Sequence, residues 1–140
     1  MFRPHFKHPR LRGRTKATFT PTQVAALYGF PTGATGATKH VAVIELAGDF
    51  SQQDLDRYFK NLGLPRVNPV IPHLIDGATR KSDPNGADAE VMLDLCVIGA
   101  IAPGVQLHCY FAPNTDLGFL DAINQAIKIF VAGGNTGFQE

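Results

Sequence analysis

The chain has little of several residue types that would narrow its function at once. It contains no tryptophan and two cysteines, Cys96 and Cys109, which stand in apolar stretches without C-x-x-C spacing. We therefore expect both thiols to be buried apolar side chains, and neither a redox pair nor a metal site. The five histidines show no H-E-x-x-H pattern or comparable ligand spacing, so the sequence predicts no zinc site.

Long apolar runs are also missing. No run reaches the roughly 18 residues of a membrane-spanning helix, and Met1 is followed by Arg3, His5, Lys7 and His8 instead of an apolar signal core. We expect no membrane partner and no secretion signal in the chain as given. At 140 residues, with 44% apolar and 18% charged residues, the composition is that of one ordinary globular domain.

Acidic residues are absent from positions 1–16, which hold six of the 13 basic residues. The remaining seven basic residues face twelve acidic ones, so residues 17–140 carry a net charge of −5. A basic arm could contact nucleic acid or an anionic surface. This one lacks the length, repetition and interleaved aromatic residues of such an arm. We interpret residues 1–16 as a solvated linker, residues 17–140 as the domain, and predict no nucleic-acid partner.

Strand-like and helix-like segments alternate along the domain. Thr20, Pro21 and Gln23 carry the signals of a capped helix start, and Ser51 is placed to cap a second helix. The segment 40–47 is apolar on both faces, which is typical of a central parallel strand. Further strands are predicted around 68–75 and 105–112, and further helices at 89–102 and from 114–116 to about 130. This order predicts a doubly wound α/β fold whose parallel sheet stops after about three strands.

Three carboxylates are out of place in this pattern. Glu90 and Asp94 lie four residues apart, on one stripe of a helix that is otherwise apolar all round and is therefore predicted to be buried. Glu45 lies near the carboxyl end of a strand, the edge at which open α/β sheets keep their active sites. Carboxylates brought close together share a proton, which permits acid–base chemistry at low pH. The alternative is simple exposure, at a strand end for Glu45 and near a helix N-terminus for the pair.

Longer segments of the sequence resemble the front of a sedolisin, a serine-carboxyl peptidase of the kumamolisin type. The segments are F-T-P-T-Q-V-A-A-L-Y-G-F-P, V-A-V-I-E-L, D-L-x-x-Y-F-x-x-L-G-L-P, A-E-V-M-L-D and Y-F-A-P-N-T-D-L-G-F-L-D-A-I, in this order between about Phe19 and Ile127. R-P-H-F-K at positions 3–7 is similar to the tail of that family's propeptide. This resemblance would make residues 1–16 a linker that is cut during maturation.

The resemblance implies a subtilisin-like fold and proteolysis outside the cell at acid pH. The family uses a serine nucleophile with a glutamate as general base and an aspartate behind it. By motif, Glu90 matches the base, Asp94 the orienting acid, and Glu45 the further acid that extends the network in the kumamolisin branch. All three misplaced carboxylates are thereby accounted for.

The departures from the family pattern limit what this chain is expected to do. The family's nucleophile lies in a downstream G-T-S motif, and its oxyanion-hole aspartate and calcium site are also in later segments. None of these is present here, where Ser51 and Ser82 are the two serines and neither follows Gly-Thr. We thus expect no nucleophile and no cofactor site in this chain, and beyond about Lys128 its sequence leaves the family pattern.

The sequence is accordingly interpreted as an N-terminal fragment of a sedolisin-type endopeptidase that does not cleave peptides alone. Peptides or proteins would be its substrates once a C-terminal segment completes it. A sheet cut after three strands is expected to self-associate through its exposed edge. The alternative from another class is a small non-catalytic α/β binding module, in which the acids serve structure or bind a partner.

Overall fold

The computed structural model describes residues 18–31, 33, 35–64 and 68–132, with side chains as far as residue 128. Predictions for the basic segment 1–16 and for the last eight residues lie outside the described residues. The elements along the chain are α1 (Pro21–Leu27), β1 (His40–Glu45), α2 (Gln52–Asn61), β2 (Ile71–Leu74), α3 (Ala87–Ile101), β3 (Gln106–Phe111) and α4 (Asp116–Ala132). The predicted alternation of helices and strands is confirmed, with bounds shifted by a few residues.

Helix starts follow the capping residues of the sequence. Thr20 accepts a hydrogen bond from the Gln23 backbone N–H, and the Gln23 side chain accepts one from the Thr20 backbone, which completes the predicted capping box of α1. Ser51 caps α2 by accepting from the Asp54 backbone N–H at 3.2 Å. Thr115 caps α4 by accepting from the Gly118 N–H at 3.0 Å. These hydrogen bonds satisfy backbone donors that have no partner within the helix.

The three strands form one parallel sheet in the order β1-β3-β2. Glu45 of β1 and Leu74 of β2 both stand beside Phe111 of β3, so all three strands end at the same edge. The prediction that the first strand is central is wrong within the described residues, where β3 is the central strand and β1 has a partner on one side. Both faces of β1 are nevertheless covered, by α3 and by α4, which gives an outer strand the apolar pattern of a central one.

Apolar side chains pack on both faces of the sheet. On one face, the larger cluster joins alternate residues of β1 and β3 to α2 and α3, and on the other face a smaller cluster joins the sheet to α4. Cys109 is buried, as the sequence predicted, whereas Cys96 is only half-buried; both are free thiols. Burial raises both thiol pKa values, to about 12 for Cys109 and about 11 for Cys96, which fits inert core residues.

Helix α3 is buried on one stripe only, so the prediction of burial on every face is wrong. Val91 and Leu95 are fully buried, but Leu93 is 60% and Val97 38% exposed. α1 lies over this outer side without filling it, and leaves an apolar cavity of about 600 Å³. The apolar pattern of α3 therefore has two origins. One stripe of the helix is buried, and a second apolar face is only partly covered by the described residues.

Candidate active site

Glu45 is the centre of the acid cluster. Its position at the last residue of β1 turns its side chain toward α3, because residues of alternate parity on β1 face the two sides of the sheet. The residue is 7% exposed, and its Oε1 atom has no hydrogen-bond partner among the described residues. Burial, followed by the charges of Asp94 and Glu90, raises the pKa of Glu45 from 4.5 to about 7.

Glu90 and Asp94 reach this cluster from α3. Both side chains are exposed, yet both are near enough to Glu45 for their negative charges to oppose its ionisation. Glu90 lies in the first turn of α3, where the positive end of the helix dipole favours a carboxylate. The structure thus brings together the three carboxylates that the sequence singled out, one buried and two open to solvent.

A clamp of backbone and side-chain contacts sets the start of α3 against the end of β1. Asp88 Oδ1 accepts from the backbone N–H groups of Asp49 and Asp83, each at 2.8 Å, and Asp88 Oδ2 accepts from Ser82 Oγ at 2.7 Å. Gly48 also pairs with Lys81 through an antiparallel bridge. Because Asp88 is two residues before Glu90 and Asp49 four residues after Glu45, this clamp fixes the spacing of the cluster.

Arg80 forms a second brace beside the clamp. Its guanidinium donates to Asp49 Oδ1 and to the Phe50 carbonyl oxygen, the latter at 2.8 Å. The same group lies 4.2 Å from the centre of the Phe50 ring, and that ring stacks on Phe111 at 6.3 Å. The charge is thereby held over an aromatic pair at the carboxyl edge of the sheet. Sequence reasoning missed both Arg80 and Asp88, because Arg80 lies in a polar loop and Asp88 in the first turn of α3, places where a charged side chain is expected to be solvated.

Both serines of the chain are already engaged in structural hydrogen bonds. Ser51 caps α2, and Ser82 donates to Asp88. Hydrogen bonds from the Asp83 backbone, from Ser82 and from the Asp49 backbone lower the pKa of Asp88 against the opposing effect of desolvation. A carboxylate with a lowered pKa is a poor proton acceptor. The Ser82–Asp88 hydrogen bond is therefore better explained as a structural contact than as a nucleophile and its base.

Three histidines that sequence spacing left unassigned meet on the opposite face of the sheet. His108 Nε2 lies 2.9 Å from His40 Nδ1, and His108 Nδ1 lies 2.9 Å from His73 Nε2. No linear motif could have found them, because one comes from each strand. Across residues 18–31, 33, 35–64 and 68–132, no group of three or more His, Cys, Asp or Glu side chains is arranged to hold a metal ion. In the same part of the chain, no helix is both long and apolar enough to cross a membrane.

Comparisons with known proteins agree with this arrangement. No family model matches the chain. Kumamolisin of Bacillus sp. strain MN-32 is 44% identical over 139 residues, an alignment that covers 89% of this chain and 24% of kumamolisin. Tripeptidyl-peptidase sed5 of Aspergillus fumigatus is 26% identical over 118 residues, covering 75% of this chain and 20% of that protein.

A solved structure extends the comparison to the fold. Pseudomonas sedolisin, a serine-carboxyl proteinase complexed with two molecules of pseudo-iodotyrostatin, matches with a TM-score of 0.60 at 26% identity. The match covers 82% of this chain and 33% of that structure.

The parallel sheet, its helices on both faces and the carboxylates at its edge define a part of a subtilisin-like α/β domain. Within that class, the chain is sedolisin-like: it is similar to part of kumamolisin, of tripeptidyl-peptidase sed5 and of Pseudomonas sedolisin. It spans about a quarter of the length of kumamolisin and a fifth of that of tripeptidyl-peptidase sed5.

Proposed function

We propose that this chain carries the carboxylate half of an acid peptidase site, with Glu90 as general base, Asp94 as its orienting acid and Glu45 as the supporting acid. The observation that carries the proposal is Glu45, a buried carboxyl with a raised pKa that senses the charges of both other acids. A structural carboxylate at a strand end would be solvated or paired. Glu45 is 7% exposed, its Oε1 atom has no hydrogen-bond partner among the described residues, and it stands next to the two acids that match the family's motif.

The three acids suit proton transfer under acidic conditions. At a pH below about 7, Glu45 holds a proton, which removes its negative charge and with it the repulsion between Glu45 and the other two acids. A carboxylate accepts a serine proton most effectively when its pKa lies near the working pH. The cluster therefore favours a base that operates in acid, where an imidazole would be protonated and inactive.

The nucleophile must come from elsewhere. Acyl transfer requires a hydroxyl within hydrogen-bond reach of the base and donors for the developing oxyanion. Ser51 and Ser82 are committed to a helix cap and to Asp88. We therefore propose that the 140-residue chain does not cleave peptides alone, and that a segment carrying a serine completes a site for peptide or protein substrates.

A chimera tests the assignment directly. Residues 19–127 would replace the matching segment of kumamolisin, and cleavage of a peptide substrate would be followed between about pH 3 and pH 7. We expect the chimera to cleave in acid and the isolated chain not to cleave. Glu90→Gln should lower kcat by about a hundredfold or more, since an amide does not accept the serine proton.

The control is Asp56→Asn, an exposed carboxylate of α2 whose side chain accepts a hydrogen bond from Gln52. This change should leave kcat unaltered. An active chimera that is indifferent to Glu90→Gln would overturn the role of Glu90. Acid cleavage by the isolated chain, surviving purification, would overturn the proposal that the nucleophile lies elsewhere.

A further inference from the structure

An apolar groove lies between α1 and the outer face of α3. It consists of a cavity of about 600 Å³ and an adjoining cavity of about 470 Å³, which share Ala25, Phe30 and Ile101. Every described side chain that lines the larger cavity is apolar or a tyrosine. We call the two cavities together the α1–α3 groove. An exposed apolar surface of this kind typically marks a contact with another polypeptide or a ligand.

Helix α1 is held too weakly to close the groove by itself. It has seven residues, none of which is buried, and Phe19 and Phe30 at its two ends are exposed as well. A helix this short is not stable without tertiary packing, and α1 packs against α3. Its apolar side chains line the groove without filling it, so a further apolar surface is needed to bury them.

The two open acids lie on the same stripe of α3 as the wall of the groove. At 3.6 residues per turn, Glu90, Leu93, Asp94, Val97 and Ile101 fall within about 100° of the helix circumference. Leu93 and Val97 are exposed, as are both acids. Val97 follows Glu90 by about 10 Å along the helix axis. A segment that covers the apolar part of this stripe therefore reaches the acids if it extends about one to two turns further.

We propose that the α1–α3 groove is the docking site of the serine-bearing segment, and that this segment docks there as an amphipathic helix. The inference rests on the proposed function, in which the nucleophile is supplied by polypeptide outside this chain. The alignment with kumamolisin covers 24% of that protein, so most of the relative's length lies outside the match. Filling the groove and placing a hydroxyl beside Glu90 are then two results of one contact.

The chemistry of the groove selects a helix as its occupant. Its walls are side chains of helices, whose backbone groups are bonded within their own turns and offer no partner to an extended strand. An occupant must therefore satisfy its own backbone, with an apolar stripe in the groove and its serine over the N-terminal half of α3. A second copy of this chain suits the site less well, because Ser51 and Ser82 are both engaged in structural hydrogen bonds.

A cysteine in the wall of the groove reports whether the groove is covered. The thiol of Leu93→Cys should react rapidly with a maleimide in the isolated chain, because Leu93 is exposed. Burial protects Cys109 and slows Cys96, since it raises the pKa of both thiols. In the chimera, where residues 19–127 are joined to the rest of kumamolisin, we expect the labelling rate of Leu93→Cys to fall at least about tenfold. Gln53→Cys, at an exposed position of α2, is the control and should react equally fast in both proteins.

Equal labelling of Leu93→Cys in the isolated chain and in the chimera would overturn the proposal. Protection that is already present in the isolated chain would overturn it too. If that protection grew with concentration, a second copy would be the occupant, and if it did not, other residues of the same chain would be.

A chimera that does not fold is recognised by rapid labelling of Cys109. The two pieces are then mixed instead, with the part of kumamolisin that follows the match added to the Leu93→Cys chain, and an unchanged labelling rate would overturn the proposal. Peptide cleavage is measured separately, on the chimera without the added cysteine. Protection without cleavage would refute the role of Glu90 and leave the docking site standing, whereas cleavage with an open thiol would refute the docking site alone.

Discussion

At the scale of single residues, the burial of Glu45 makes the stability of the fold depend on pH. Because its folded-state pKa of about 7 lies above the ordinary value of 4.5, its contribution is fully present below about pH 4.5 and is lost as pH rises through 7. We expect Glu45→Gln to raise the free energy of unfolding at pH 8 by on the order of 2 kcal/mol relative to the original chain.

Denaturant unfolding at about pH 8 and about pH 5 would measure this effect. The matched control is Glu90→Gln, a change of the same chemistry at an exposed position, which should alter the free energy much less. A Glu45→Gln variant that is less stable than the original chain at pH 8 would show that the buried carboxylate has partners beyond the described contacts.

Residue patterns predicted the three acids of the candidate site better than the contacts that hold them. Glu45, Glu90 and Asp94 stand out because a charge in an apolar strand or helix conflicts with its surroundings. Asp88 and Arg80 give no such signal, since charged residues in the first turn of a helix or in a polar loop are expected to be solvated. The three hydrogen-bonded histidines, His40, His73 and His108, could not be predicted for another reason. They are 33 and 35 residues apart in sequence, and only the register of β1, β2 and β3 brings them together.

At the scale of elements, one glycine controls how closely β1 and α3 approach. Gly48 has φ +83°, and a Cβ atom there would stand 2.9 Å from the Ala87 carbonyl carbon. We expect Gly48→Ala to destabilise the chain by about 1–3 kcal/mol, since the backbone of α3 would have to move. The cluster of Glu45 and Glu90 should be disturbed as well.

The control for this change is Gly77→Ala. Gly77 has a similar φ of +73°, but nothing lies within 4 Å of its added Cβ, so this variant isolates the conformational strain. Thermal unfolding of both variants would separate the cost of the backbone strain, present in both, from the cost of the close contact with Ala87, present only in Gly48→Ala. Equal losses of stability would mean that the contact with Ala87 contributes nothing.

Helix and strand types followed from the sequence, whereas the position of each element in the sheet did not. Capping residues such as Thr20 and Ser51 bond to neighbours within three residues, so helix starts can be predicted from the local sequence. The central position of β3 depends on which strands pair, and the strands are separated by long connections. The first strand would have the same apolar pattern in a central position as in an outer one. The partial exposure of α3 could not be predicted either, because an apolar side chain gives no information about which other element covers it.

At the scale of the whole molecule, apolar side chains remain on the surface of α4. Leu117, Leu120 and Ile127 are all exposed and fall on one stripe of the helix. We propose that this stripe, together with the outer edge of the sheet, drives self-association of the chain. Leu120→Lys should therefore shift sedimentation velocity profiles toward the monomer at a fixed concentration.

Gln125→Lys is the control, because it adds the same charge on an exposed part of α4 away from the stripe. Its sedimentation should match that of the original chain. A monomer at every concentration, with no difference between the two variants, would count against this surface as an interface.

The hydrogen bonds of Asp88, which hold β1 against α3, persist at a lower pH than the one at which Glu45 is protonated. The pKa of Asp88 is lowered by the N–H and O–H groups that point at it, so the carboxylate remains charged in acid that has already neutralised Glu45. The stability it supplies is lost only as pH falls through that lowered value, below about 3.8. Acidification therefore neutralises Glu45 while the hydrogen bonds of Asp88 still hold β1 against α3. The contacts that hold the site together and the carboxyl at its centre therefore respond to different ranges of pH.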